Sequence, residues 1–265
     1  MLHGRHLKNG SKHLILVFQP VKKEVLEAVS EVLKGSADHE QIKKAHERYS
    51  WMNFALDYKE SDYLFVQDYF SESFGWYLFD GGKAMYEALN EELEQFIEKM
   101  GYEKVTAFGS SKGGTGALVY GVLNKYVTDV FALVPQVKVS TFINKYHPNE
   151  KEAFYRGNEK LEQEMDQFFF DERHYVSEAV KNTNFYLYTG KHDMQFQDVM
   201  ALKDLLQNHD IRTVLIVNTS KKTHSPLVVE HTDFVYQTLQ NINENRVLQS
   251  AELTRLNDDA YVLFS

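Results

Sequence analysis

The sequence predicts a doubly wound, mostly parallel α/β sheet with a helical lid insertion. Three observations support this class. Short apolar runs recur without polar alternation, amphipathic helical segments lie between them, and a glycine-rich turn, GSSKGGTGAL (109–118), joins one run to the helix after it. A strand covered by helices on both faces loses the usual alternation, and these runs read that way. Strands alternating with helices then select a parallel, doubly wound sheet.

In order, the runs are HLILVFQ (13–19), DYLFVQD (62–68), KVTAFGS (104–110), VFALVPQ (130–136), NFYLYTG (184–190) and TVLIVNT (213–219). Between the first two, residues 20–61 carry helical patterns near 21–34 and 37–49. GKAMYEALNEELEQFIEKMG follows, with Met85, Leu89, Leu93, Phe96 and Met100 at helical spacing and Gly101 as its C-terminal stop. KGGTGALVYGVLNKY reads as a helix with a small-residue start. Residues 137–183 exceed what a simple crossover needs and contain the charged, aromatic-rich stretch EQEMDQFFFDERHYV. A connection of that length is expected to act as a lid or binding loop. DVMALKDLLQNHD and LVVEHTDFVYQTLQNI are the last helices, and the tail 241–265 ends in AYVLFS, an expected edge strand or docking segment. No internal repeat or Ser/Pro/Gly-rich linker divides the chain, so one domain over 1–265 is expected.

Composition narrows the function. With 43% hydrophobic and 25% charged residues the chain is an ordinary globule, and its net charge of −9 without a basic stripe argues against nucleic acid. No stretch approaches the apolar length of a membrane span. The basic start leads into an apolar run, Leu14–Phe18, too short for a signal-peptide core, so a cytoplasmic location is expected. The absence of cysteine excludes disulfides, thiolate metal sites and a cysteine nucleophile. Aromatic residues make up 14%, which a ring-rich core explains, with a carbohydrate- or acyl-binding cleft accounting for the remainder.

The turn GSSKGGTGAL admits three chemistries. A phosphate loop needs a lysine and a hydroxyl residue after the glycines, and Ala117 and Leu118 stand there instead. A dinucleotide turn needs G-x-G-x-x-G, but the glycines fall at 109, 113, 114 and 116, and VFALVPQ ends in Pro135-Gln136 rather than an acid. The third is G-x-S-x-G, Gly109 to Gly113, a nucleophile elbow centred on Ser111 between a strand and a helix. There the helix N-terminus aims free amides at the serine and suits a developing oxyanion.

A serine needs a histidine base and an orienting carboxylate, in the chain order Ser, acid, His. Asp193 follows NFYLYTG and His224 follows TVLIVNT, each in a strand-end loop. His231 is the rival base, but it lies inside the last helical pattern, and the rival acid Asp198 lies in a helix. His192 beside Asp193 has no second histidine at ligand spacing, so neither a metal nor another cofactor is expected. Trp76 and Tyr77 follow the second strand, where sites of open sheets form, and are expected to pack in the core or to stack on substrate. The Lys112 side chain is expected either as a solvated charge or against an anionic or hydroxyl-rich substrate.

With GSSKG, TGKHD and KKTHSP in place, residues 13–240 resemble the α/β-hydrolase superfamily. GSSKGG and the aromatic N-terminal half are also similar to bacterial surface-polysaccharide proteins of the XcbB/CpsF type and to the carbohydrate O-acetyltransferases of accessory secretion systems. The resemblance implies Ser111 as nucleophile, His224 as base, Asp193 as acid and the Lys112 amide in the oxyanion hole. It places the second oxyanion amide around Gln19-Pro20-Val21, where this chain departs from the usual His-Gly. Pro20 has no N–H, so Gln19 or Val21 must donate. The implied activity is an esterase or O-acyltransferase on a small-molecule or carbohydrate ester, with a homo-oligomer or a glycan-biosynthesis partner left open. The alternative is a non-catalytic scaffold of the same fold.

Overall fold

The computed structural model describes residues 2–68 and 74–246, together with the backbone of 253–257 and 260–263. The strands are β1 (Gly4–Leu7), β2 (His13–Phe18), β3 (Asp62–Val66), the two-residue β4 (Phe79–Asp80) and β5 (Lys83–Ala84), β6 (Lys104–Ser110), β7 (Asp129–Leu133), β8 (Asn184–Gly190), β9 (Thr213–Asn218), β10 (Leu253–Asn257) and β11 (Ala260–Leu263). The helices are α1 (Lys23–Leu33), α2 (His39–Ala45), α3 (Met52–Asp57), α4 (Tyr86–Met100), α5 (Lys112–Leu123), α6 (Val139–Tyr146), α7 (Lys151–Tyr155), α8 (Glu159–Gln167), α9 (Glu178–Lys181), α10 (Phe196–Asn208), α11 (Ser225–Val229) and α12 (Thr232–Asn243).

The central sheet runs β1-β3-β2-β6-β7-β8-β9, parallel throughout except for β1, which pairs antiparallel with β3. All six runs picked from sequence are its parallel strands. Their lack of alternation has a simple cause. Leu14, Leu16 and Phe18 of β2 enter one core with α1, α4 and α5, whereas Ile15 and Val17 enter a second core with α3 and α12. Side chains on a strand alternate between faces, and both faces are covered.

Chain order reverses between β2 and its neighbours β3 and β6, and the crevice beyond the carboxyl ends of strands at such a switch point is where open sheets place ligands. Here Phe18 aligns with Gly109, Ser110 with Leu133, and Gly190 with Asn218. The loops after β2, β6, β7, β8 and β9 therefore leave from one edge. Helix α5 reaches this edge because glycine lets it approach: a Cβ on Gly113 would stand 2.3 Å from the Phe18 carbonyl oxygen, and one on Gly116 2.5 Å from the Tyr77 ring.

The structure corrects several sequence expectations. Strand β1 is added at the sheet edge, from a tetrapeptide, GRHL, too short and polar to register as a strand. In α4 the buried stripe is Leu89, Leu93 and Ile97, while Met85 lies just before the first helical residue. The long helix expected over 227–242 breaks at Glu230 and His231 into α11 and α12. Helix α12 runs to Asn243, and residues 260–263 pair with β10 in a separate hairpin rather than joining the central sheet.

The insertion expected as a lid contains α6 to α9 and two 3₁₀ turns. Its residues Phe154, Leu161, Met165 and Phe169 are buried in the first core. It also borders the carboxyl edge of the sheet, with the Phe142 ring 6.4 Å from that of His224. Among the described residues no helix is long and apolar enough to cross a membrane.

Candidate active site

Ser111 stands between β6 and α5 with φ 57° and ψ −125°, a strained conformation for a residue with a Cβ. Two backbone bonds hold it there: Ser111 N–H donates to the Leu133 carbonyl at 2.8 Å, and Thr115 N–H donates to the Ser111 carbonyl at 3.0 Å. The side chain is thereby pushed out at the top of the sheet. Ser111 Oγ lies 2.9 Å from His224 Nε2. On the far side of the ring, His224 Nδ1 lies 2.9 Å from Asp193 Oδ2. An ionised carboxylate only accepts, so Nδ1 carries the ring proton and the Nε2 lone pair faces the serine hydroxyl.

The Asp193 carboxylate is itself held. Its second oxygen accepts from Gln195 N–H at 3.0 Å, and the residue is 7% exposed. Gln195 in turn accepts the amides of Val137 and Lys138 on its Oε1, tying the loop after β7 to the loop after β8. Of the rival residues, His231 stands at the N-terminal boundary of α12 and Asp198 sits in the first turn of α10; the bonds to Ser111 and to the imidazole are made by His224 and Asp193.

A cavity of about 440 Å³ opens beside Ser111 and His224. Its walls are mostly apolar and include Val21, Trp51, Val134, Val228, Val229 and Tyr236. Strain concentrates there. Of the nine non-glycine residues with positive φ among the described residues, Trp51, Ser111, Val134 and His224 all line it. Val134 at φ 41° is costly for a β-branched side chain, and clustering of such outliers is a property of functional sites.

The oxyanion expectation needs correcting at Gln19. Its N–H is already donated to the Tyr77 hydroxyl at 2.6 Å, and its side chain bonds the Val17 carbonyl and the Ser50 amide. Gln19 is therefore unable to serve an oxyanion without dismantling the core. Val21 lines the cavity, and the Lys112 N–H is at the first position of α5, where no earlier helical carbonyl takes it.

Trp76 and Tyr77 do not reach the cavity either. Both are 0% exposed. They follow the β3 run, but positive φ at both residues (54° and 63°) turns them under the sheet edge. The Tyr77 hydroxyl donates to the Val66 carbonyl, and burial raises its pKa well above the ordinary phenol value, so it stays a donor. Trp76 packs among Phe74, Phe142 and Phe154.

Lys112 is buried as well, at 1% exposure, and belongs neither to solvent nor to the cavity. Its Nζ donates to Asp68 Oδ2 at 2.8 Å and lies 4.7 Å from the centre of the Tyr77 ring. Asp68 also accepts from Gly75 N–H and Tyr77 N–H. Burial lowers the pKa of the Lys112 amine and raises that of the Asp68 carboxyl, in each case against the pull of the partner. The pair ties the turn at 75–77 to the first residue of α5.

One residue at the site was missed by the sequence reading. Gln136, 0% exposed, brings its Nε2 to 2.9 Å from Ser111 Oγ and 3.1 Å from His224 Nε2. The signal was present as a polar residue ending a central strand run, VFALVPQ, at the functional edge of the sheet.

Neither protein-family models nor curated proteins match the sequence. Solved structures resemble the fold. The capsule O-acetyltransferase of Neisseria meningitidis serogroup A is 18% identical, with 91% of this chain and 90% of that chain covered and a TM-score of 0.60. Its histidine-to-alanine variant in complex with CoA gives 16% identity, 89% and 91% coverage and a TM-score of 0.61. The esterase Pf2001 of Pyrococcus furiosus gives 13% identity, 92% and 85% coverage and a TM-score of 0.57. The architecture they share with this chain is the α/β-hydrolase fold.

Proposed function

We propose that this protein is a serine acyl-transfer enzyme, an esterase or O-acyltransferase working through an acyl-enzyme on Ser111. The observation that carries it is the hydrogen-bonded line Ser111–His224–Asp193 at the mouth of a cavity. As Ser111 Oγ bonds to the ester carbonyl carbon, its proton passes to His224 Nε2 and the carbonyl oxygen becomes an oxyanion. The N–H groups of Lys112 and Val21 hold that charge. Collapse breaks the bond to the alcohol oxygen, which takes the proton from His224 and leaves the acyl group on Ser111. Water or a sugar hydroxyl then gives its proton to His224 as it attacks the acyl carbon; the Oγ–acyl bond breaks, and Ser111 Oγ takes that proton back from His224.

Asp193 remains a carboxylate throughout, keeping the imidazole in one tautomer and balancing its charge when protonated. The apolar walls suit the acyl part of the ester. For the acceptor we take a carbohydrate hydroxyl, following the likeness to carbohydrate O-acetyltransferases. Mixing the protein with an aryl acetate and quenching in acid tests this. An acetyl group on the Ser111 peptide and release of the phenol are expected, both lost in Ser111→Ala. Hydrolysis that survives Ser111→Ala contradicts it.

A second reading, a non-catalytic scaffold of the same fold, draws on one observation: the Gln19 amide is engaged and Pro20 has none, so the loop after β2 is short of oxyanion donors. In that case folded protein gains no acetyl group.

A further inference from the structure

We propose that Gln136 is a fourth catalytic residue, whose amide N–H stabilises the charge that develops on Ser111 Oγ. The proposal rests on Ser111 being the nucleophile. Its first support is orientation. Trp76 Nε1–H, which can only donate, points at Gln136 Oε1 from 3.1 Å. The amide is therefore fixed with its NH₂ toward Ser111 and His224, and an NH₂ can only donate.

The second support is rigidity. The Gln136 carbonyl accepts from Thr115 Oγ1 at 2.8 Å, and the Gln136 N–H lies 3.0 Å from the same oxygen. Thr115 is one turn along α5 from Ser111, so the serine and the amide are set by the same helix. The next residue is anchored as well, with Val137 N–H on Gln195 Oε1. The side chain is fully buried, and its amide hydrogens meet only Ser111 Oγ and His224 Nε2 among the described groups.

This arrangement matches the charge changes of both half-reactions. Before attack, Oγ donates its hydrogen to His224 Nε2 and accepts from Gln136. As the proton passes to Nε2, the imidazolium N–H and the amide N–H are both donors, and the partly negative Ser111 Oγ accepts from them. Gln136 then favours the nucleophile as it forms. In deacylation the Oγ–acyl bond breaks, Oγ again carries the electron pair, and the same N–H meets it before the proton returns from His224. The oxyanion amides serve the carbonyl oxygen, whereas Gln136 serves the other oxygen of the reaction.

Two variants and one probe test the proposal. Gln136→Met removes the donor at similar size. Gln136→Glu keeps an oxygen for Trp76 and replaces the NH₂ with an acceptor. With an aryl acetate, kcat is expected to fall roughly tenfold to a hundredfold in both, with KM within about threefold. That is below the typical loss of an oxyanion donor, because only partial charge reaches Oγ. The rate of labelling by a fluorophosphonate is expected to fall in parallel. Wild-type rates in Gln136→Glu, or in both variants with unchanged melting temperatures, would mean the amide only braces Trp76, and would overturn the proposal.

Wild-type protein that resists the fluorophosphonate at Ser111 sinks the acyl-transfer reading itself, whereas labelled wild type with unaffected variants sinks only the role of Gln136. Should neither variant fold, a crystal structure of the labelled wild type decides. Gln136 Nε2 within hydrogen-bond distance of Ser111 Oγ supports the role, and an amide turned away from it contradicts it.

Discussion

His224→Ala is expected to lower kcat/KM for a small acetyl ester roughly ten-thousandfold or more, with the melting temperature nearly unchanged. The size follows from the geometry. Among the described residues the imidazole is the one base bonded to Ser111 Oγ, at 2.9 Å, and without it the serine hydroxyl stays protonated near neutral pH. The small effect on stability follows because the ring stands at the mouth of a cavity rather than in the core. His231→Ala supplies the control and is expected to leave kcat/KM within about threefold. If His231→Ala abolishes activity and His224→Ala does not, the base has been assigned to the wrong residue.

Lys112→Met and Asp68→Asn are each expected to destabilise the fold by about 3–5 kcal/mol, the usual consequence of leaving one member of a buried ion pair without its partner. For a chain of this size that lowers the melting temperature on the order of 10 °C. The double variant Lys112→Met/Asp68→Asn is expected to lose less than the sum of the two, because no orphaned charge remains. Thermal melts of the three proteins check this. Additive losses would show that the two groups act independently, contrary to the 2.8 Å contact. A role for the Lys112 side chain on substrate makes a different prediction, a raised KM at unchanged stability. Its burial at 1% exposure argues for the structural outcome.

The parallel strands could be read from the sequence because covering both faces writes an unbroken apolar run, as in HLILVF and TVLIVN. That Ser111, Asp193 and His224 come together was legible by position, since loops after parallel strands meet at one edge of the sheet. What stayed hidden depends on backbone direction. Trp76 and Tyr77 follow the strand expected to feed the site, yet two consecutive left-handed residues turn both rings into the core.

Lys112 is adjacent to Ser111 in sequence, but the helix sends its side chain to a buried Asp68 forty-four residues away. Neither partner is marked by any pattern. The Gln19 amide illustrates the same limit, because its engagement depends on a tyrosine hydroxyl from a distant turn. Strand β1 was missed because four residues of an antiparallel edge strand carry almost no periodicity.

The central claim, that Ser111 is an activated nucleophile, is tested most directly by exposing the folded protein to a fluorophosphonate and mapping the adduct by peptide mass spectrometry. A single adduct on Ser111 is expected, absent from Ser111→Ala and much slower to form in His224→Ala. A folded protein that stays unmodified, or carries the label on another residue, contradicts the account.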